Sequence, residues 1–276
     1  MNFCLVRTVI CLGICGLLPG NANACNIYTL SNGNSSISVD AGSQRGMCDW
    51  TVDGRDQLDQ QWFWYRIGNA GPEASIDTIG CPTVTQPTAA TLQMCSATKQ
   101  FSFQVLYALV GGAQGSGAAS VSEQIRIQNL TANALDFHFF QYAHFDLSGT
   151  AELGRNPLGL FNDAFVTGNG SSVTEQIDTA VSPGANHGVA GLASVCRFND
   201  AFPTCLGDSA GPSTNASWAL EWDQTLAAKG TLIIGNVTNL APVPEPPGLA
   251  LVFAGLTAVA ALRPFHTSKH SVRGTA

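Results

Sequence analysis

From residue 135 to residue 147 the chain reads LDFHFFQYAHFDL, in which apolar residues recur at every second position. Side chains of a β-strand point alternately to its two faces, so this pattern predicts one strand with two different faces. The even face carries polar groups and is predicted to be largely solvent-exposed: Asp136, His138, Phe140, Tyr142, His144 and Asp146. The odd face is predicted to be core: Leu135, Phe137, Phe139, Ala143, Phe145 and Leu147.

Similar short patterns recur on both sides of this stretch. They predict strands at residues 37–39, 60–67, 101–109, 122–129, 172–177, 218–223 and 232–240. Seven or eight strands without any alternation of strands and helices predict an all-β fold, an antiparallel β-sandwich with jelly-roll or immunoglobulin-like packing. Residues 150–213 show a weaker pattern, and we expect long loops over the sandwich there.

The charge of the chain argues against one class of partner. Charged residues make up only 11% of the 276 residues. Residues 25–246 contain eight Lys or Arg against nineteen Asp or Glu, a formal charge of −11. Such a domain repels phosphate backbones, so we exclude nucleic acid as a partner.

The N-terminus has the pattern of a secretory signal peptide. Arg7 precedes an apolar run at residues 9–18, which is followed by Pro19-Gly20 and by Ala22-Asn23-Ala24. The run is too short to span a bilayer, and the last three residues form an A-x-A cleavage site. We therefore predict a signal peptide at residues 1–24, with Cys25 as the first residue after cleavage.

The C-terminus combines a proline-rich segment with a short apolar stretch. Residues 242–247 read PVPEPP, residues 248–262 are apolar, and Arg263 follows. As a helix the apolar stretch would be about 22 Å long, which is short of the bilayer core of about 30 Å. Basic residues after it would keep that end on the cytoplasmic side. The alternative to a processed signal is an ordinary C-terminal anchor that is never cut.

This C-terminus resembles the PEP-CTERM sorting signal. Val243, Pro244, Glu245 and Pro246, the apolar stretch and Arg263 carry the resemblance, which covers about the last 30 residues. The resemblance implies recognition by an exosortase and a link to exopolysaccharide production in Gram-negative bacteria.

Together these features predict three segments: a signal peptide at 1–24, a β-sandwich domain at 25–241, and a sorting signal at 242–276 with a transmembrane helix at 248–262. We expect export, anchoring in the inner membrane before processing, and then release to the cell surface or medium. The expected partners are signal peptidase, exosortase and exopolysaccharide.

Six cysteines remain after the signal peptide: Cys25, Cys48, Cys81, Cys95, Cys196 and Cys205. An even number in an exported chain predicts disulfide bonds, for which six cysteines allow 15 connectivities. Short loops favour Cys81 with Cys95 and Cys196 with Cys205, which leaves Cys25 with Cys48. Because no pair has the spacing of a zinc site, we predict no metal at these thiols.

Two polar pairs on the predicted strands are candidate sites. His144 and Asp146 lie about 7 Å apart on one strand face and could share an ion, but no third ligand is apparent. Glu221 and Asp223 have the same separation and could form the carboxylate pair of a glycosidase. Since both face away from Trp218 and Trp222, we predict that they are solvent-exposed instead. We predict no catalytic residue and no cofactor; acidic loops would also suit Ca²⁺, without a recognisable motif.

Two aromatic residues suggest a sugar-binding surface. Trp62 and Trp64 share one strand face, and flat rings stack on sugars. The sequence therefore predicts a non-enzymatic surface or matrix protein with a role in adhesion or exopolysaccharide association. The alternative is a secreted hydrolase with a site in the loops at 150–213, where His187, Asp163 or Asp208 could meet.

Overall fold

A computed structural model describes residues 27–155, 161–178, 198–204, 206 and 216–243. The predicted signal peptide and the apolar stretch at 248–262 lie outside these residues. In the described ranges, no helix is long and apolar enough to cross a membrane. The only helix there is a single 3₁₀ turn at Ile76–Ile79.

The described residues form two eight-stranded sheets. Sheet one has the order β1-β2-β3-β5-β11-β15, with β4 on β3 and β6 on β5. Its strands are β1 (Ile27–Asn32), β2 (Ser35–Asp40), β3 (Gly46–Val52), β4 (Arg55–Asp56), β5 (Leu58–Ile67), β6 (Ala74–Ser75), β11 (Leu135–Phe145) and β15 (Ser217–Leu226).

Sheet two has the order β12-β13-β14-β16-β10-β9-β8-β7. Its strands are β7 (Thr83–Thr88), β8 (Thr91–Ala97), β9 (Phe101–Gly111), β10 (Ala119–Asn129), β12 (Ala151–Arg155), β13 (Phe161–Gly168), β14 (Ser171–Asp178) and β16 (Thr231–Pro242). Neighbouring strands of both sheets are antiparallel, except that β3 and β5 pair in parallel.

The prediction of an all-β sandwich is confirmed, but the sheets are larger than expected. Sixteen strands occur in the described residues, whereas immunoglobulin-like domains have seven to nine strands and jelly rolls have eight. Residues 151–155 and 161–168 form β12 and β13 rather than loops, and together with β14, where a strand at 172–177 was predicted, they extend sheet two beyond β16. Because turns that contain Gly and Asn interrupt these strands, the alternation of apolar and polar residues is hard to recognise in the sequence.

Aromatic rings fill the space between the sheets. Phe63 of β5 lies 5.6 Å from Phe103 of β9 and 5.6 Å from Phe139 of β11, measured between ring centroids. All six predicted core residues of β11 and its flank, from Leu135 to Leu147, are buried, so the predicted core face is confirmed.

A polar cluster interrupts this apolar interior. The carboxylate of Glu175 accepts hydrogen bonds from Gln141 (2.7 Å), Asn236 (2.8 Å) and the indole of Trp218. Glu123 accepts one from Gln61 at 2.8 Å. Burial raises the pKa of Glu123 to about 8, with the charge of Glu175 adding to the effect. Burial likewise raises the pKa of Glu175 to about 7 against its hydrogen bonds.

The structure corrects two of the expected disulfides. Cys48 and Cys95 are free thiols, whereas Cys81 is disulfide-bonded. Cys81 does not pair with Cys95, because Cys95 is a free thiol, and Thr83 lies opposite it in the register of β7 and β8. Cys48 is buried in β3 without a disulfide, so the expected bond to Cys25 is not formed. Cys25, Cys196 and Cys205 lie outside the described residues.

Candidate active site

The outer face of sheet one, turned away from sheet two, is covered, contrary to prediction. His138 is 6% exposed, Phe140 0% and Tyr142 3%, although all three belong to the even face of β11 that was predicted to be exposed. Residues 198–204 and 206, here called the strap, lie against this face. Phe198 stacks on Trp64 at 5.2 Å and contacts Phe140 at 5.3 Å between ring centroids. The strap, which is distant in sequence, therefore packs on a strand face that the local alternation predicted to be exposed.

Three neighbouring strands bring ionisable groups together beside the strap. In the register of β5, β11 and β15, Arg66 and Asp223 flank His138, and Glu221 lies opposite Phe140. The Nδ1 atom of His138 forms a short hydrogen bond with the carboxylate of Asp223. Ligand atoms of His138, Glu221 and Asp223 all lie within 4.8 Å of one another. We call these three residues the acid–base cluster.

The two carboxyl groups of the cluster have different pKa values. Burial, and next the charge of Asp223, raises the pKa of Glu221 to about 8. Burial also disfavours the charge of Asp223, but the hydrogen bond and charge of His138 outweigh it, so the pKa of Asp223 lies below its usual range. At neutral pH the pair therefore holds one proton, on Glu221, and one negative charge, on Asp223.

The imidazole of His138 is oriented by this arrangement. With Asp223 ionised, Nδ1 of His138 donates its proton to the carboxylate, which fixes the orientation of the ring. Nε2 is buried without a hydrogen-bond partner in the described part of the chain, 3.8 Å from Asp136. The side chain of Asp223 is 36% exposed and that of neighbouring Asp136 is 40% exposed, so the cluster reaches solvent through Asp223.

The strap is held by a buried ion pair next to the cluster. The guanidinium of Arg66 pairs with Glu73 and donates to the carbonyl of Thr204 at 3.0 Å. Glu73 in turn accepts hydrogen bonds from the Thr204 backbone N–H (2.8 Å) and hydroxyl (2.7 Å). Two residues further on, the backbone N–H of Leu206 donates to Glu221 at 2.9 Å.

The acid–base cluster limits the chemistry of the site. Glu221 and Asp223 were expected to be exposed, but Glu221 is buried and hydrogen-bonded to Asp223. Glycosidase carboxyl groups stand at least about 5 Å apart so that the anomeric carbon fits between them, and a hydrogen-bonded pair leaves no such space. In composition, one imidazole and two carboxylates could also hold a metal ion.

The predicted sugar-binding tryptophans are not available to a ligand. Trp62 and Trp64 are both 0% exposed. The indole N–H of Trp62 donates to Ser75 (2.9 Å) and Asp77 (3.1 Å), and the strap covers Trp64. The prediction of a glycan contact at these residues is wrong, because β6, the 3₁₀ turn and the strap pack over the face that they share.

The remaining sequence candidates do not join the cluster. His144 pairs with Asp59 at 3.2 Å rather than with Asp146. Asp163 lies on β13 of sheet two, and His187 and Asp208 lie outside the described residues.

The sequence pattern placed His138, Glu221 and Asp223 on two predicted strands but did not predict that they lie together. The alternation of a strand does not show which strand lies beside it. The sequence pattern missed Arg66 and Glu73 altogether. A charged residue within the otherwise aromatic run of β5 was the available signal for Arg66. No local pattern marks Glu73.

No protein-family model and no curated protein sequence matches this chain. Solved structures do resemble it. A protein provisionally assigned as an aldose 1-epimerase from Escherichia coli K12 is 11% identical, with a TM-score of 0.50, over 79% of this chain and 99% of its own. The Slr1438 protein from Synechocystis sp. PCC 6803 is 10% identical, with a TM-score of 0.50, over 82% of this chain and 99% of its own.

A galactose mutarotase-like protein from Lactobacillus casei ATCC 334 is 9% identical, with a TM-score of 0.48, over 78% of this chain and 100% of its own. At such identities the likeness shows the fold alone. The expectation of a non-enzymatic adhesive protein is nevertheless wrong, because the sandwich has the fold of a protein assigned as a carbohydrate-converting enzyme. The chain thus folds as a two-sheet β-sandwich of the type found in a protein assigned as an aldose 1-epimerase.

Proposed function

We propose that the chain is a carbohydrate-converting enzyme that interconverts the anomers of a neutral aldose at the acid–base cluster. The observation that carries this proposal is the single proton held by Glu221 and Asp223 beside an imidazole that Asp223 orients. Two groups of opposite protonation state, fixed within 4.8 Å of each other, are what acid–base catalysis at one sugar ring requires.

The reaction needs two coupled proton transfers. A base removes the proton of the anomeric hydroxyl while an acid protonates the ring oxygen, so that the bond between C1 and the ring oxygen breaks and a free aldehyde forms. Rotation about the bond between C1 and C2, followed by the reverse transfers, closes the other anomer. In the proposed arrangement, Glu221 is the acid and the ionised carboxylate of Asp223, the group of the cluster that reaches solvent, is the base, and each returns to its starting state after ring closure.

The charges around the cluster favour a neutral sugar. The charge of Arg66 acts on the pKa of Glu221, but its guanidinium is already paired with Glu73 beneath the strap. The solvent-facing side of the cluster carries the carboxylates of Asp136 and Asp223. A phosphorylated or acidic sugar would meet these negative charges without a free cation among the described residues of the site.

The test is a direct measurement of anomer equilibration. Freshly dissolved α-D-glucose and α-D-galactose are followed by polarimetry or proton NMR with increasing amounts of the purified protein. We expect the rate constant to rise in proportion to protein concentration above the buffer rate, for at least one of the two sugars. Equilibration at the buffer rate for both sugars and for further neutral aldoses would remove the proposal.

We also propose that this enzyme acts outside the inner membrane. The signal-peptide pattern at 1–24 and the PEP-CTERM-like C-terminus support export, with signal peptidase and exosortase as processing enzymes and exopolysaccharide as a candidate external partner. The apolar stretch at 248–262 would be the transient membrane helix.

Intact-mass analysis of the protein recovered from envelope and medium tests this second proposal. A mass that begins at Cys25 and ends near residues 244–247 is the expected result. A chain that still ends at Ala276 would instead indicate a C-terminus that is never cut, and it would leave the proposed chemistry untouched.

A further inference from the structure

The strap does more than cover the outer face of sheet one. Its aromatic end is anchored by Phe198 between Trp64 and Phe140, and Asn199 forms two hydrogen bonds with Gln44, each of 2.9 Å. Its other end, at Leu206, donates a backbone N–H to the buried carboxyl group of Glu221. The strap is thus fixed at one end by packing and ends at the other on a group of the acid–base cluster.

The anchor nearest to Glu221 is the Glu73–Arg66–Thr204 network. The side chain of Glu73 is 0% exposed and that of Arg66 is 7% exposed. Both carboxylate oxygens of Glu73 bind Thr204, through its N–H and its hydroxyl, while Arg66 binds the Thr204 carbonyl. The backbone N–H and C=O of Thr204, which belong to the two peptide units on either side of its Cα, are thereby both held, which limits the movement of Leu206 two residues later.

We infer that Glu73 and Thr204 are positioning residues, which hold the backbone N–H of Leu206 against Glu221 and so set where the proposed acid carries its proton. The inference deepens the proposed function, on which its catalytic meaning rests. The hydrogen bonds that join Glu73, Thr204 and Arg66 act on Glu221 through the strap. An N–H that points at a carboxyl group favours its ionised form and restricts its rotation.

The other groups that face Glu221 are known from the described residues. They are Asp223 on the same strand, His138 on β11 and Arg66 on β5, with Glu73 behind Arg66. Asp223 opposes ionisation of Glu221, whereas Leu206 and Arg66 favour it. Removal of the Leu206 N–H therefore makes ionisation of Glu221 less favourable and can only raise its pKa.

Two variants test the inference in the full protein. In Leu206→Pro the N–H is absent, and in Thr204→Val the hydroxyl bond to Glu73 is lost without a change of charge. The ¹³C shift of the Glu221 side-chain carboxyl is followed over pH and assigned by its loss in Glu221→Gln. We expect the pKa of Glu221 to rise by about one unit in Leu206→Pro, and to rise less in Thr204→Val.

Matched controls separate positioning from packing. Leu206→Ala keeps the N–H but removes the side chain, and Gln44→Ala releases the other end of the strap; neither should move the pKa of Glu221. An unchanged pKa in both test variants, or an equal rise in Leu206→Ala, would overturn the inference. If Leu206→Pro does not fold, Thr204→Val decides. Because the NMR titration needs no turnover, its result stands apart from whether the protein equilibrates sugars.

Discussion

Replacement of Glu221 by Gln is expected to lower the rate of anomer equilibration about 10²- to 10⁴-fold, the range found when a general acid is lost. The amide has nearly the same shape and can still accept the hydrogen bond from Leu206. It has no proton to transfer at neutral pH, however, and it no longer shares one with Asp223. Polarimetry at several protein concentrations measures the change.

Glu152→Gln is the matched control for this experiment. Glu152 is an exposed residue of β12 in sheet two, so its replacement makes the same Glu-to-Gln change on the other sheet, away from the cluster. It should leave the rate unchanged. If Glu221→Gln retained the wild-type rate with an intact fold by circular dichroism, the acid would have to be another residue and the assignment of the site would fail.

The second large effect is on stability, which is expected to fall as the pH rises from 5 to 8. The pKa values of Glu123, Glu175 and Glu221 are raised to about 8, 7 and 8 in the folded state. When the pH is above the ordinary carboxyl pKa, the folded protein therefore still binds protons that the unfolded chain has already released. Their contribution is complete below about pH 4 and is lost as the pH rises through the folded-state values.

The size of this loss follows from the same linkage. Each such carboxyl lowers the free energy of unfolding by about 1.4 kcal/mol for every pH unit between its unfolded-state pKa and its folded-state pKa. One such carboxyl alone accounts for about 3 kcal/mol between pH 5 and pH 7.5, so we expect the free energy of unfolding to fall by at least that amount. Urea denaturation at a series of pH values measures it, and a flat or rising profile would contradict the assignment of buried, protonated carboxyl groups.

Glu123→Gln isolates the contribution of the polar cluster between the sheets. The amide cannot ionise, and its NH₂ group can donate to acceptors that lack partners in the described structure, such as Gln61 Oε1 and Asn236 Oδ1. We expect this variant to be less dependent on pH than the wild type and more stable at pH 8. Glu152→Gln should follow the wild-type profile. An unaltered slope in Glu123→Gln would show that Glu123 is not the group that titrates.

Local periodicity predicted most of the sandwich. The alternation in β5, β9, β10, β11 and β15 was correctly read as strands, because a half-buried strand needs apolar residues at every second position. The strands β12 and β13 were missed, since they are short and contain Gly, Asn and Thr in place of regular apolar residues, whereas β14 matches the strand predicted at 172–177.

The candidate site was less predictable, for a physical reason that His138 illustrates. Its partner Asp223 lies 85 residues away in the chain, and only the register of β11 with β15 brings the two together. Trp64 shows the same limit, because its burial depends on Phe198, which belongs to a segment with no strand pattern of its own.

The sequence by itself determined the strand class, the inward face of each long strand and the acidic character of the domain, because these depend on residue type and spacing alone. Only the tertiary structure decided that the outer face of sheet one is covered, that Glu221 and Asp223 share a proton, and that Cys48 and Cys95 stay unpaired. Those outcomes depend on strand order, register and the path of the strap. Such long-range contacts produce no periodic pattern of residues in the sequence.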